Sequence, residues 1–284
     1  MKSLFNAKIL KIFIYIVLCI GILLPCKAYG LDVSIGAATW YAWMEQEYNK
    51  AVKYYESDTE NKNPEFLIGP ALFVKFNDDF NLTFVYLYGK FNVKESYEWP
   101  GHGYADYTLK RRDFDLALNY RLNDFFKVFA GIKYMDFSIR FDQHRNSAGQ
   151  IMSYIAGEII KRDRSSLGPS LGISAALPIL ENLFILGHLS GFYLLNKESA
   201  EYIPAGAGSN PLSFKPRGND YGFNSGLSLA CYITPVSTTI SLGGRYQYIK
   251  THYSDIDPAH GSYYDHDTSK FYGVTLTATY SFSI

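Results

Sequence analysis

The chain has 284 residues, 27 Lys and Arg against 27 Asp and Glu, and 25 tyrosines within an aromatic content of 17%. The even charge balance excludes the basic footprint of a nucleic-acid binder. A mean hydropathy of -0.09 excludes a bundle of membrane helices but not a transmembrane β-barrel, whose lipid-facing apolar and lumen-facing polar residues average out.

The first thirty residues differ from the rest. Lys2, Lys8 and Lys11 are basic, Ile9 to Leu24 is almost wholly apolar, and Pro25, Cys26, Lys27 and Ala28 lead into Tyr29 and Gly30. This pattern predicts a secretory signal over residues 1–30, cleaved after Ala28 or Gly30, and a single domain over 31–284. An uncleaved anchor is the other reading; a lipoprotein site at Cys26 fits poorly with Pro25 before it. Removing four lysines leaves 23 basic against 27 acidic residues. Cys231 is then alone, so no intrachain disulfide forms, and its apolar run suggests a small buried hydrophobe.

No later apolar run reaches the 18 residues of a membrane helix. Instead, segments of about ten residues alternate apolar and polar. Ten strands are predicted. The first is Val33 to Trp43, and the second Phe66 to Phe76, with Phe66, Ile68, Leu72, Val74 and Phe76 on one face. The third is Leu82 to Phe91, with Leu82, Phe84, Tyr86 and Tyr88 together. In the fourth, Leu109 to Leu122, Phe114, Leu116, Leu118 and Tyr120 alternate with Asp113, Asp115, Ala117, Asn119 and Arg121. The fifth runs from Phe126 to about Phe141. The sixth ends at Leu177, its Ser166, Gly168, Ser170, Gly172, Ser174 and Ala176 opposing a leucine-rich face. Leu183 to Leu195, Tyr221 to Ile233, Thr238 to Ile249 and Tyr272 to Ile284 complete the set.

The connections order these strands. Residues 77–81, 123–125, 178–182 and 234–237 are short and rich in Asn, Asp and Pro, as tight turns are. Residues 44–65, 92–108, 142–165, 196–220 and 250–270 are long. Short and long alternate strictly, which predicts a closed antiparallel transmembrane barrel with short periplasmic turns and long extracellular loops. Lipid supplies no hydrogen-bond partner for a free sheet edge, so the first and last strands are expected to close the barrel. The even strand number puts both ends of the barrel in the periplasm. Tyr41, Trp43, Tyr86, Tyr88, Tyr134, Tyr193, Tyr246, Tyr248 and Tyr272 then mark an outer interface, and Phe76, Tyr120, Phe126, Tyr280 and Phe282 an inner one.

Tyr280, Phe282 and the alternation before them resemble the last strand of outer-membrane barrels generally, with Ile284 in place of the usual terminal Phe. The resemblance implies a bacterial outer-membrane location and recognition by the barrel-assembly machinery, with outer-membrane lipid and lipopolysaccharide as surroundings. It names no function. Omptin proteases are similar in size and strand number, but their site needs carboxylates and an Asp–His pair on opposite sides of the barrel mouth. Here the acids and histidines gather in one loop, and Asp113 and Asp115 belong deep in the fourth strand, so no catalytic residue is carried over.

Two groups of residues remain as candidates. Lys75, Arg111, Asp113, Asp115, Asn119, Arg121, Lys127, Lys133, His188, Asn224, Arg245 and Gln247 point inward. A barrel of ten strands is narrow, and buried charges need partners, so Asp113 and Asp115 are expected to be neutralised by Arg121, Lys127, Lys133 or Arg245 in an ion-pair plug; a narrow channel for small solutes is the alternative. Loop candidates are Trp99, Tyr104, His252, Asp255, Asp257, His260, Asp265 and His266, alongside Tyr54, Tyr55, Tyr97, Tyr107, Tyr253, Tyr263, Tyr264 and Asp267. Their spacing matches no zinc or calcium motif, and exposed aromatics mark recognition surfaces. The expectation is a surface binding or structural protein, without enzymatic activity or cofactor, that acts through its loops.

Overall fold

A computed structural model describes residues 31–48, 59–97, 103–146, 151–152, 158–203, 212–254 and 266–284. The signal segment 1–30 and loop candidates Trp99, Asp255, Asp257, His260 and Asp265 lie outside the described residues, as do Tyr54, Tyr55, Tyr263 and Tyr264.

Ten long strands form the wall: β1 (Asp32–Tyr48), β2 (Thr59–Lys75), β3 (Phe80–Tyr97), β4 (Gly103–Arg121), β5 (Phe126–Asn146), β6 (Glu158–Leu180), β7 (Leu183–Ile203), β8 (Arg217–Ile233), β9 (Thr238–Tyr253) and β10 (His266–Ser283). Each pairs antiparallel with its sequence neighbours, and β1 pairs with β10. The sheet is closed, so no edge is left for lipid to meet. At the seam Leu31 and Ile284 exchange both backbone hydrogen bonds, at 3.1 and 2.9 Å. Two short segments, Ile151–Met152 and Leu212–Phe214, extend the sheet beside β5 and β7.

The periplasmic turns owe their tightness to side chains that copy backbone acceptors. Asn77 Oδ1 accepts from the amides of Asp79 and Phe80, at 2.9 and 2.7 Å. Asn123 Oδ1 does the same for Phe125 and Phe126. Such Asx turns reverse the chain within four residues. Between β8 and β9, a 3-10 turn over Thr234–Val236 ends on Ser237 in the left-handed region, at φ 47°.

The strands are longer than the sequence pattern implies, almost entirely at their extracellular ends. Lipid-facing alternation stops where the outer face turns charged, but hydrogen-bond pairing continues. A strand rises about 3.3 Å per residue, and a tilt near 40° leaves about 2.5 Å of that along the barrel axis. The 23 residues of β6 therefore span roughly twice the ~25 Å apolar band of such barrels. Tyr107, read as a loop aromatic, lies on β4 and is buried in the lumen. His252 and His266 sit opposite each other on β9 and β10, and the backbone of Tyr104 is part of β4.

The outer face is a belt of exposed Leu, Ile, Val, Phe and Tyr, including Ile35, Ile68, Leu118, Leu171, Leu227, Leu242 and Leu276. So large a continuous apolar surface requires an apolar solvent. Cys231 belongs to it: the side chain is exposed on the outer wall, not buried as its apolar run suggested, because it shares a face with Leu227 and Leu229 (period two). Aromatic rings edge the belt. Tyr41 packs on Phe66 at 4.6 Å, and Trp43 stacks on Tyr272 at 6.0 Å; Phe80 packs on Tyr120 at 5.0 Å, and Tyr280 on Phe282 at 6.1 Å.

Candidate functional site: the barrel lumen

The larger apolar cluster of this protein lies inside the barrel. Ala38, Trp40, Ala42 and Met44 from β1 meet Leu67, Phe91, Leu109, Met135, Phe137, Phe192, Leu194, Ile249 and Phe271 from the other walls. Period-two alternation puts these residues on the inner face. Large side chains there leave polar neighbours nothing but one another as partners.

At mid-height, Arg111 crosses the lumen. Its Nε and Nη2 donate to the two carboxylate oxygens of Asp113 at 2.9 and 2.6 Å, and Nη2 also donates to Gln247 Oε1 on β9. Its guanidinium lies 3.9 Å from the ring centre of Phe271 and 5.2 Å from that of Trp40, within cation–π range. Lys133 Nζ donates to both oxygens of Asp115, at 2.7 and 2.9 Å. Arg245 approaches Asp115 at 3.8 Å and lies 4.4 Å from the centre of Trp40. Arg111 and Lys133 have no solvent exposure.

A second tier stands above, toward the cell exterior. Arg162 donates to Glu198 Oε1 at 2.7 Å, to Asp267 Oδ2 at 2.6 Å and to the Tyr253 hydroxyl. Tyr253 donates to Asp267 Oδ2 at 2.9 Å. Arg164 Nη1 donates to Thr251 Oγ1 at 2.8 Å, and Asp220 accepts from Ser166 and from Asn196 Nδ2 at 3.0 Å. Between the tiers, a cavity of about 10 Å³ lined by Phe137, Arg162, Arg164 and Phe271 has room for about one water.

Below mid-height the inner wall opens. Its inward positions are mostly half-buried, and His188 is exposed against Gly226, where a Cβ would run into the imidazole. Asn119 donates to Thr83 Oγ1 at 2.6 Å. Two sequence assignments need correction here. Arg121 does not neutralise Asp113 or Asp115; it pairs with Asp124 in the turn it adjoins. Lys127 does not either; its ammonium lies 5.8 Å from the centre of Phe73. Both sit too near the turn between β4 and β5, and Arg111, two residues from Asp113 on the same face of β4, takes that carboxylate. Lys75 pairs with Asp78 at 2.7 Å, holding that exposed turn carboxyl below its usual range.

The upper tier was assigned to loops because Arg162, Arg164, Glu198, Asp220 and Tyr253 fall in the long connections. The missed signal is a continuing alternation: Arg162, Arg164 and Ser166 extend the inner face of β6, and Asn196 and Glu198 that of β7. Among the described residues, no group of three or more His, Cys, Asp and Glu is placed to hold a metal.

No family model and no curated protein matches the chain. Solved structures do. The outer membrane protease OmpT from Escherichia coli superposes with a TM-score of 0.60 at 12% identity, over 89% of this chain and 97% of that one. A major outer membrane protein from Thermus thermophilus gives 0.40 at 12% identity, over 89% and 100%. The attachment invasion locus protein Ail of Yersinia pestis gives 0.30 at 14%, over 90% and 100%. At 12% identity the likeness to OmpT is one of fold. The OmpT superposition, together with the closed sheet and the lipid-facing belt, defines the class: a ten-stranded antiparallel β-barrel of the bacterial outer membrane.

Proposed function

We propose that this barrel is a non-conducting scaffold that presents its extracellular loops to a binding partner at the cell surface. One observation carries the reading: Arg111 on β4 bonds to Gln247 on β9 across the lumen, within a layer whose largest side chains have no solvent exposure. A pore needs a continuous water-filled path, and this layer sets the buried side chains of Trp40, Arg111 and Lys133 across it. Binding then falls to the parts above the wall.

Planar-bilayer recording tests this. The refolded chain inserts without discrete conductance steps. The triple variant Trp40→Ala, Arg111→Ala, Arg245→Ala removes the mid-height layer and produces them. Reproducible unit currents from the unaltered protein would sink the scaffold reading in favour of a narrow channel.

A further inference from the structure

The outer wall above the aromatic rings carries two cross-strand pairs of like charge. Lys90 on β3 is directly opposite Lys110 on β4, and Lys197 on β7 is directly opposite Arg217 on β8. All four side chains are exposed. Facing like charges at this spacing weaken a sheet. Among the described residues none of the four has a carboxylate partner. Three other rim cations do have one: Arg112 meets Asp136 at 3.6 Å, Lys161 meets Glu201 at 2.9 Å and Lys270 meets Glu45 at 3.9 Å.

Their height is set by neighbouring residues. Lys90 is the next outward position beyond Tyr88, and Lys197 the next beyond Leu195, itself one beyond Tyr193. Tyr88, Tyr193 and Leu195 are exposed on the lipid-facing wall. Amphipathic rings settle at headgroup level, and long basic side chains lay their stems on apolar surface while the charged head reaches outward. The four cations thus stand where the headgroups of the outer leaflet begin. We propose that the Lys90–Lys110 and Lys197–Arg217 pairs bind the phosphate groups of a phosphorylated glycolipid of the outer leaflet. A phosphate between two facing cations converts their repulsion into charge-assisted hydrogen bonds, with Arg217 able to bond bidentately. The sites lie on well-separated arcs of the wall, β3–β4 and β7–β8, so the barrel holds lipid on two sides. This assignment is independent of whether the lumen conducts.

The test uses the full refolded chain in vesicles of uncharged phospholipid, with and without bisphosphorylated lipid A as probe. Thermal unfolding is read by heat-modifiable gel migration. Lipid A raises the midpoint of the unaltered protein. The variant Lys90→Gln, Lys110→Gln, Lys197→Gln, Arg217→Gln matches or exceeds the unaltered midpoint without lipid A, because repulsion is gone, and loses most of the lipid A shift. Each pair removed weakens lipid A binding on the order of tenfold, the worth of one hydrogen bond to a charged group. Lys110→Glu alone, which turns one repulsive pair into an attractive one, folds even where the fourfold variant does not, and loses part of the shift. An undiminished shift in these variants overturns the proposal. So does an equal shift from dephosphorylated lipid A, or from inorganic phosphate added to uncharged vesicles.

Discussion

Replacing Arg111 by Met isolates the energetics of the luminal layer. The guanidinium makes two hydrogen bonds to Asp113 and one to Gln247, and both members of the ion pair are almost wholly buried. The substitution keeps most of the volume but leaves the Asp113 carboxylate without its nearest cation. Breaking one side of a buried pair costs about 3–5 kcal/mol. Lys133 and Arg245 retain part of the favourable field at Asp113, which puts the expected cost near the lower end, ~3 kcal/mol. Removing Asp113 as well, in Arg111→Met, Asp113→Leu, takes away the stranded charge, and apolar replacement of a buried pair is often neutral. The double variant should therefore recover most of the loss. Urea unfolding of the refolded barrel in neutral detergent, followed by tryptophan fluorescence, gives the midpoints; an unchanged denaturant slope confirms that stability alone has moved. A single-variant cost below about 1 kcal/mol, the level of an exposed pair, would refute the assignment of Arg111 to a desolvated network. So would a double variant at least as unstable as Arg111→Met alone.

Two further outcomes are expected. An added Cβ at Gly172 meets the Leu189 carbonyl oxygen and the Phe129 ring, whereas at Gly226 its three nearest atoms all belong to the imidazole of His188, a side chain exposed in the lumen. Gly172→Ala should lower stability by about 1–3 kcal/mol, the cost of overpacking, and Gly226→Ala should be neutral or stabilising, both read from denaturant midpoints; equal effects would contradict the inward view. A fluorophore on Cys231 should be quenched by brominated phospholipid in vesicles, while the same label on an inward Ser228→Cys, Cys231→Ser variant should not. Comparable quenching at both positions would mean that the facing of β8 is misassigned.

Strand number, closure and facing were legible because lipid imposes a period of two on residues such as Phe114 to Tyr120 and Tyr272 to Phe282. Above the membrane that pressure ends, and the outer face of β6 changes from Leu167 to Ser165, Asp163 and Lys161. The same stretch reads as a polar loop until its inner face, Arg162 and Arg164, is counted separately. Mid-height partners were harder. Asp113 and Asp115 are adjacent on one inner face, yet their cations come from β4, β5 and β9. Only the shear of the closed sheet decides which distant residues meet across the lumen, and shear leaves no local trace in the chain. Cys231 was misread for a related reason: an apolar residue in a barrel is as readily turned to lipid as buried in protein.

The filled interior also bears on how such a surface diversifies. The wall closes through strand-to-strand hydrogen bonds and the interior packs through side chains of the strands themselves, and each segment that joins strands at the outer end adds a loop-closure term. Doubling the length of such a segment costs only about 0.6 kcal/mol in closure entropy. Lengthening such a segment therefore costs little entropy beside the ~3 kcal/mol expected for a change at Arg111.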